Sequence, residues 1–180
     1  VEINNMDDHS HYWLGRIYHF KKMNDEAKNS FNDAINANPK NADSYYRLGL
    51  IYYGEGKYSQ AAKAFDKAIL NQPDFAKAYY SRGLSYMMLK DKQSATRDFK
   101  KAIEQDSKLD KAYFNLGTIY LENKNYALAL ENFQKNRELN PDNADANFKL
   151  GETYHEMNSI TNAQQFYQKT IELDPGYYQA

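Results

Sequence analysis

Residues 42–69 read ADSYYRLGLIYYGEGKYSQAAKAFDKAI, and the spacing of their large and small side chains decides the fold. Tyr45, Leu48 and Tyr52 recur at i, i+3 and i+7, the spacing of one face of an α-helix. After the turn GEGKY, Ala61, Phe65 and Ala68 fall on one face of a second helix. The stretch therefore predicts a helix pair, with arms of about 14 residues joined by a tight turn.

The same pattern returns in both directions. Glycines stand at Gly15, Gly49, Gly83, Gly117 and Gly151, every interval being 34 residues. Three residues after each comes Tyr18, Tyr52, Tyr86, Tyr120 or Tyr154, and twelve after comes Ala27, Ala61, Ala95, Ala129 or Ala163. Sixteen after comes an aromatic: Phe31, Phe65, Phe99, Phe133 or Tyr167. The four prolines, Pro39, Pro73, Pro141 and Pro175, share one place, with Ser107 in the remaining repeat. A fixed period without insertions is the signature of a repeat architecture. Glycine inside a helix costs about 0.5–1 kcal/mol relative to alanine, so each glycine needs a return. The expected one is a bare backbone facing alanine on the second helix, with Tyr and Phe filling the flanks of a close crossing.

This pattern, with Leu before most of the glycines, resembles the tetratricopeptide repeat (TPR), over essentially the whole chain. The resemblance implies an all-α fold, an α–α solenoid wound as a right-handed superhelix. Five full repeats are expected at 8–41, 42–75, 76–109, 110–143 and 144–177. VEINN at the start aligns with RELNP (137–141) and IELDP (171–175), so residues 1–7 are expected to be the tail of a preceding repeat and 178–180 the start of a following one, within a longer array. Departures from the pattern are mild. His11 and Asn147 stand where the first large aromatic belongs, Arg82 replaces Leu, and Asn136 and Thr170 replace a small Ala. A slightly looser seam is expected there.

Composition narrows the function. Hydrophobic content of 42% and charged content of 26% describe a globular chain. A net charge of −1 gives no field to gather nucleic acid, and no apolar run approaches a bilayer span, so neither nucleic-acid binding nor membrane insertion is expected. The absence of cysteine excludes disulfides and thiolate metal sites, and no cofactor is expected. The compartment is not legible, a cytoplasmic one being favoured. No nucleophile–base pair, glycine-rich phosphate loop or HExxH motif is present, so the chain does not read as an enzyme. His9, Arg16 and His19 share a face without acidic ligands, a solvated arrangement more than a metal site.

What remains is binding. In the TPR family the first helices line the concave face. Here they carry an additional apolar stripe, offset by one residue from the packing stripe: Tyr46, Leu50 and Tyr53; Tyr80, Leu84 and Met87; Phe114, Thr118 and Leu121. Tyr12 and Arg16 hold the same places in the first repeat, and Lys77, Lys111 and Asn115 flank the apolar middle. These residues form the expected peptide-binding set, for a protein or peptide segment with apolar anchors. Packing explains the aromatics at 46, 80 and 114 as well as binding does; Leu50, Leu84 and Met87 favour binding. Charge grades from His9, Arg16 and His19 to Asp145, Glu152 and Glu156, which would orient a ligand. The clamp with which some TPR proteins hold the carboxylate of a chaperone tail is missing: its cation place holds Tyr12, Tyr46, Tyr80, Phe114 or Phe148. Two alternatives stand: self-assembly through ends that lack polar caps, and a regulatory domain attached to an enzyme.

Overall fold

A computed structural model describes residues 7–177; all but Asp7 of the partial repeat expected at 1–7, and the whole of that expected at 178–180, lie outside the described residues. Among the described residues there are ten α-helices in five pairs: α1 Asp8–Phe20, α2 Asn24–Ala37, α3 Ala42–Gly54, α4 Tyr58–Asn71, α5 Ala76–Met88, α6 Lys92–Gln105, α7 Asp110–Glu122, α8 Tyr126–Leu139, α9 Ala144–Glu156 and α10 Ile160–Leu173. Packing divides the chain into two compact units, residues 1–98 and 99–180, the division falling within α6.

Local chemistry sets the helix ends. Asp7 Oδ1 accepts from Ser10 N at 2.8 Å, Asn41 Oδ1 from Ser44 N at 2.9 Å and Asn143 Oδ1 from Ala146 N at 3.2 Å, each capping a first helix. The turn inside each pair passes through one left-handed residue: Lys22 (φ 61°), Gly56 (φ 74°), Lys90 (φ 61°), Lys124 (φ 58°) and Asn158 (φ 59°). These five positions are again one period apart. Only the second pair uses glycine there, and a β-carbon in this conformation costs about 1–2 kcal/mol. Lys90→Gly is expected to raise stability by about 0.5–1 kcal/mol after the added freedom of the unfolded chain is subtracted. The midpoint of urea unfolding checks it, and an unchanged or lower midpoint counts against the strain.

The glycines inside the first helices answer to rings, a correction to the expectation that they face alanine. A β-carbon added at Gly49 would lie 2.5 Å from Phe65 Cε1, and one at Gly117 would lie 2.6 Å from Phe133 Cε1. Gly15 meets Phe31 and Gly151 meets Tyr167 in the same way, both at 2.7 Å. The aromatic of the second helix lies across the bare backbone of the first. Phe31, Phe65 and Phe133 are 0% exposed. The alanines Ala27, Ala61 and Ala129 are sealed nearby, letting the backbones close.

At Arg82, Asn136 and Thr170, three of the places expected to be loose, the seam is tied. Arg82 Nε donates to Asp98 Oδ2 at 2.7 Å, its Nη2 to Asp98 Oδ1 at 2.8 Å, and its Nη1 to Asp66 Oδ1 at 2.7 Å. Asp98 is fully buried, and it occupies the place of Ala64 one period earlier, as Arg82 occupies that of Leu48. An ion pair has replaced an apolar pair at both partners. In the second unit Asn136, also buried, donates Nδ2 to Asp110 O at 2.8 Å and accepts from Asn143 Nδ2 at 2.9 Å. Thr170 satisfies its hydroxyl on Phe166 O at 2.9 Å. Polar substitution at a packed seam is tolerated where each group finds a partner.

Candidate functional site

In the first unit the packing stripe of α3 buries Leu48 and Ile51. On its other side Leu50 remains partly exposed, as do Leu84 and Met87 on α5. Tyr46 lies between two rings, with centroids 5.7 Å from Phe65 and 4.8 Å from Phe75. Tyr12 approaches Phe31 at 6.0 Å. Both aromatics therefore serve the hairpin interior while showing an edge outside. Tyr53 rests against Tyr58 at 5.3 Å, and burial pushes its phenol above the ordinary tyrosine range. Tyr80 is partly exposed and Lys77 is exposed. The Arg16 guanidinium lies 4.1 Å from the Trp13 ring centroid, a cation–π contact that holds it along α1.

The first-helix face of the second unit is more tightly committed. Leu121 is 9% exposed and belongs to the core cluster with Ala129, Phe133 and Leu150, so only an edge of it reaches the surface. Phe114 meets Phe133 at 5.7 Å. Thr118 donates Oγ1 to Phe114 O at 3.0 Å, and Asn115 donates Nδ2 to Lys111 O at 2.9 Å; Lys111 itself is exposed. Beside them is an open recess of about 250 Å³, bordered by Thr118, Leu121, Glu122, Lys149 and Glu152. Lys149 pairs with Glu152 at 2.7 Å, and Asp145 accepts from the Tyr177 hydroxyl at 2.8 Å. Burial and this hydrogen bond push the Tyr177 phenol up to about 12. The acidic end is thus partly neutralised by its neighbours.

A further surface is on α1. Trp13, Ile17 and Phe20 stand at i, i+4 and i+7 and are exposed. The signal for them was in the register, since Ile17 falls one period before Ile51, a sealed core residue. Among the described residues no three His, Asp or Glu side chains come together as a metal site, and no helix is long and apolar enough to cross a membrane.

Comparison with known families gives matches to tetratricopeptide repeat descriptions at residues 15–56, 46–110, 110–143 and 144–177, so together they run from 15 to 177. No curated protein matches the chain. Among solved structures, a crystal structure of MamA is 23% identical with a TM-score of 0.86, covering 96% of this chain and 94% of that one. YrrB, described as a TPR protein with an unusual peptide-binding site, is 22% identical with a TM-score of 0.86, covering 98% and 91%. PilF of Pseudomonas aeruginosa is 16% identical with a TM-score of 0.85, covering 99% and 81%. At such identities the likeness speaks to fold alone. With a 34-residue period, helix pairs to match it and repeat descriptions in register along 15–177, the chain belongs to the tetratricopeptide repeat family, an all-α scaffold for protein interaction.

Proposed function

We propose that the first-helix face of the first unit binds a peptide or protein segment through apolar anchors, without catalysis. The observation that carries this reading is the state of Leu50, Leu84 and Met87. Their helices already bury a separate stripe, yet these three keep part of their surface in water. Leucine and methionine there add nothing to solubility, and a row of them is worth covering at about 25 cal/mol per Å² of apolar surface removed from water. Tyr46 and Tyr53 supply rigid walls beside them, and Lys77 an outlying charge. The likeness of fold to YrrB, whose description includes a peptide-binding site, supports the reading. In the second unit Phe114 and Leu121 are committed to packing against α8 and α9, and Asn115 and Thr118 bond to carbonyls of α7, so we assign them the lesser part. No cation pair stands where a carboxylate clamp would need one, so the ligand is held by side-chain anchors rather than by its terminus.

Peptides selected from a random library on the intact chain test the proposal. The triple change Leu50→Ser, Leu84→Ser, Met87→Ser is expected to weaken the selected peptide by about a hundredfold, since buried anchors dominate such contacts. Circular dichroism would show the helices retained, because none of the three lies in the sealed core. An unchanged Kd in the folded triple variant, or a library that yields no binder, removes this face from the function.

A further inference from the structure

We propose that Arg82, Asp98 and Asp66 form a pairing key, which fixes the helices that can lie on either side of α5 in a chain whose hairpins are otherwise interchangeable. The need for one follows from the repeat itself. Gly15, Gly49, Gly117 and Gly151 each carry a ring of the following helix across bare backbone. Ala27, Ala61, Ala95, Ala129 and Ala163 are all sealed. A second helix that fits one first helix therefore comes close to fitting the others. Docking one period out of order would satisfy nearly the same apolar contacts, and misassembly between like units is a characteristic folding failure of repeat chains.

Arg82 breaks this equivalence, standing at the place of Leu14, Leu48, Leu116 and Leu150. Its Nε and Nη2 donate to Asp98 on α6 at 2.7 and 2.8 Å, and its Nη1 donates to Asp66 on α4 at 2.7 Å. One guanidinium thus reads the helix before it and the helix after it, all three residues lying in the first unit. Neither carboxylate recurs along the chain. The place of Asp98 holds Ser30, Ala64, Asn132 and Phe166 in the other pairs, and that of Asp66 holds Asn32, Lys100, Gln134 and Gln168. Only α4 before and α6 after give α5 two carboxylates.

Burial makes the distinction costly to ignore. The side chains of Arg82 and Asp98 are 12% and 1% exposed. In any other order Asp98 would be sealed against a leucine, and Arg82 against serine, alanine, asparagine or phenylalanine. A buried charge stripped of its partner penalises the wrong order far more than the native pair gains over an apolar one. The trio therefore acts chiefly against the alternatives, as a single buried polar residue does in setting the register of a coiled coil. It lies in the third of the five pairs, so a slip begun from either end meets it. None of the three residues belongs to the proposed peptide site, and the proposal does not depend on that site.

Pulsed hydrogen exchange during refolding of the intact chain from urea, read by mass spectrometry on peptides of α4, α5 and α6, tests the proposal. The wild type is expected to gain protection in these peptides as one population. Arg82→Leu with Asp98→Ala, which copies the Leu48 and Ala64 pair, is expected to show a second, differently protected population at least about tenfold larger than any in the wild type. Slow proline isomerisation is common to both, since each chain has the same four prolines. Arg82→Leu with Asp98→Ser, which copies Leu14 and Ser30, repeats the test should the alanine variant fold poorly. Refolding of both variants as one population, like the wild type, would overturn the proposal. So would loss of the folded state in both, because the trio would then hold the fold up rather than select its order.

Discussion

Arg82→Leu is expected to destabilise the first unit by about 3–5 kcal/mol, the range for stranding one partner of a buried ion pair. This holds even though leucine stands at that place in every other hairpin, as Leu14, Leu48, Leu116 and Leu150. The reason is Asp98. It is fully buried and both its oxygens are taken by the guanidinium. With leucine opposite, its charge would be left buried without a partner. Asp98→Ala alone should cost less, because Arg82 keeps Asp66 and its side chain is 12% exposed. The double change Arg82→Leu, Asp98→Ala copies the Leu48 and Ala64 pair of the preceding hairpin and should return stability to near that of the wild type. Equilibrium urea unfolding followed by circular dichroism reads all three. A single Arg82→Leu variant as stable as the wild type, or a double variant no better than it, would show that the buried pair does not act as described.

The second large effect is at the glycine crossing of the second unit. Phe133→Ala should cost about 3–5 kcal/mol, since a fully buried ring is removed from between two helices. Gly117→Ala should cost about 1–3 kcal/mol by overpacking, its β-carbon arriving 2.6 Å from the ring, offset by roughly 0.5–1 kcal/mol of helix propensity. The two sites share one space. Gly117→Ala combined with Phe133→Leu should therefore be less destabilised than the sum of the single changes, by about 1 kcal/mol or more. Strict additivity would mean that the ring and the glycine do not compete for the same volume.

Period and helix pairing were legible because five copies of each position average out local irregularity. Gly, Tyr, Ala and the aromatic at sixteen residues are all repeated, and each helix follows from spacing alone. The partner of each glycine was not legible. Spacing places a residue on a face, but whether alanine or the neighbouring ring sits over the bare backbone depends on how two antiparallel helices cross. The Arg82 and Asp98 pair was missed for a related reason. Arg82 looked like a single lapse from the pattern and Asp98 was not singled out; only their contact across the hairpin shows one change answering the other. Leu121 and Met87, one period apart, illustrate the same limit at the candidate site. They hold the same place in the repeat, yet Leu121 is drawn into a core with Leu150 while Met87 keeps surface.

Trp13 is the chain's single tryptophan, and it stands on the outer side of α1, with Nε1 donating to His9 Nε2 at 2.8 Å. The ultraviolet emission of the molecule therefore has an address. The colour of the indole's emission depends on how wet that indole is. The protein carries its own dye, fixed on α1.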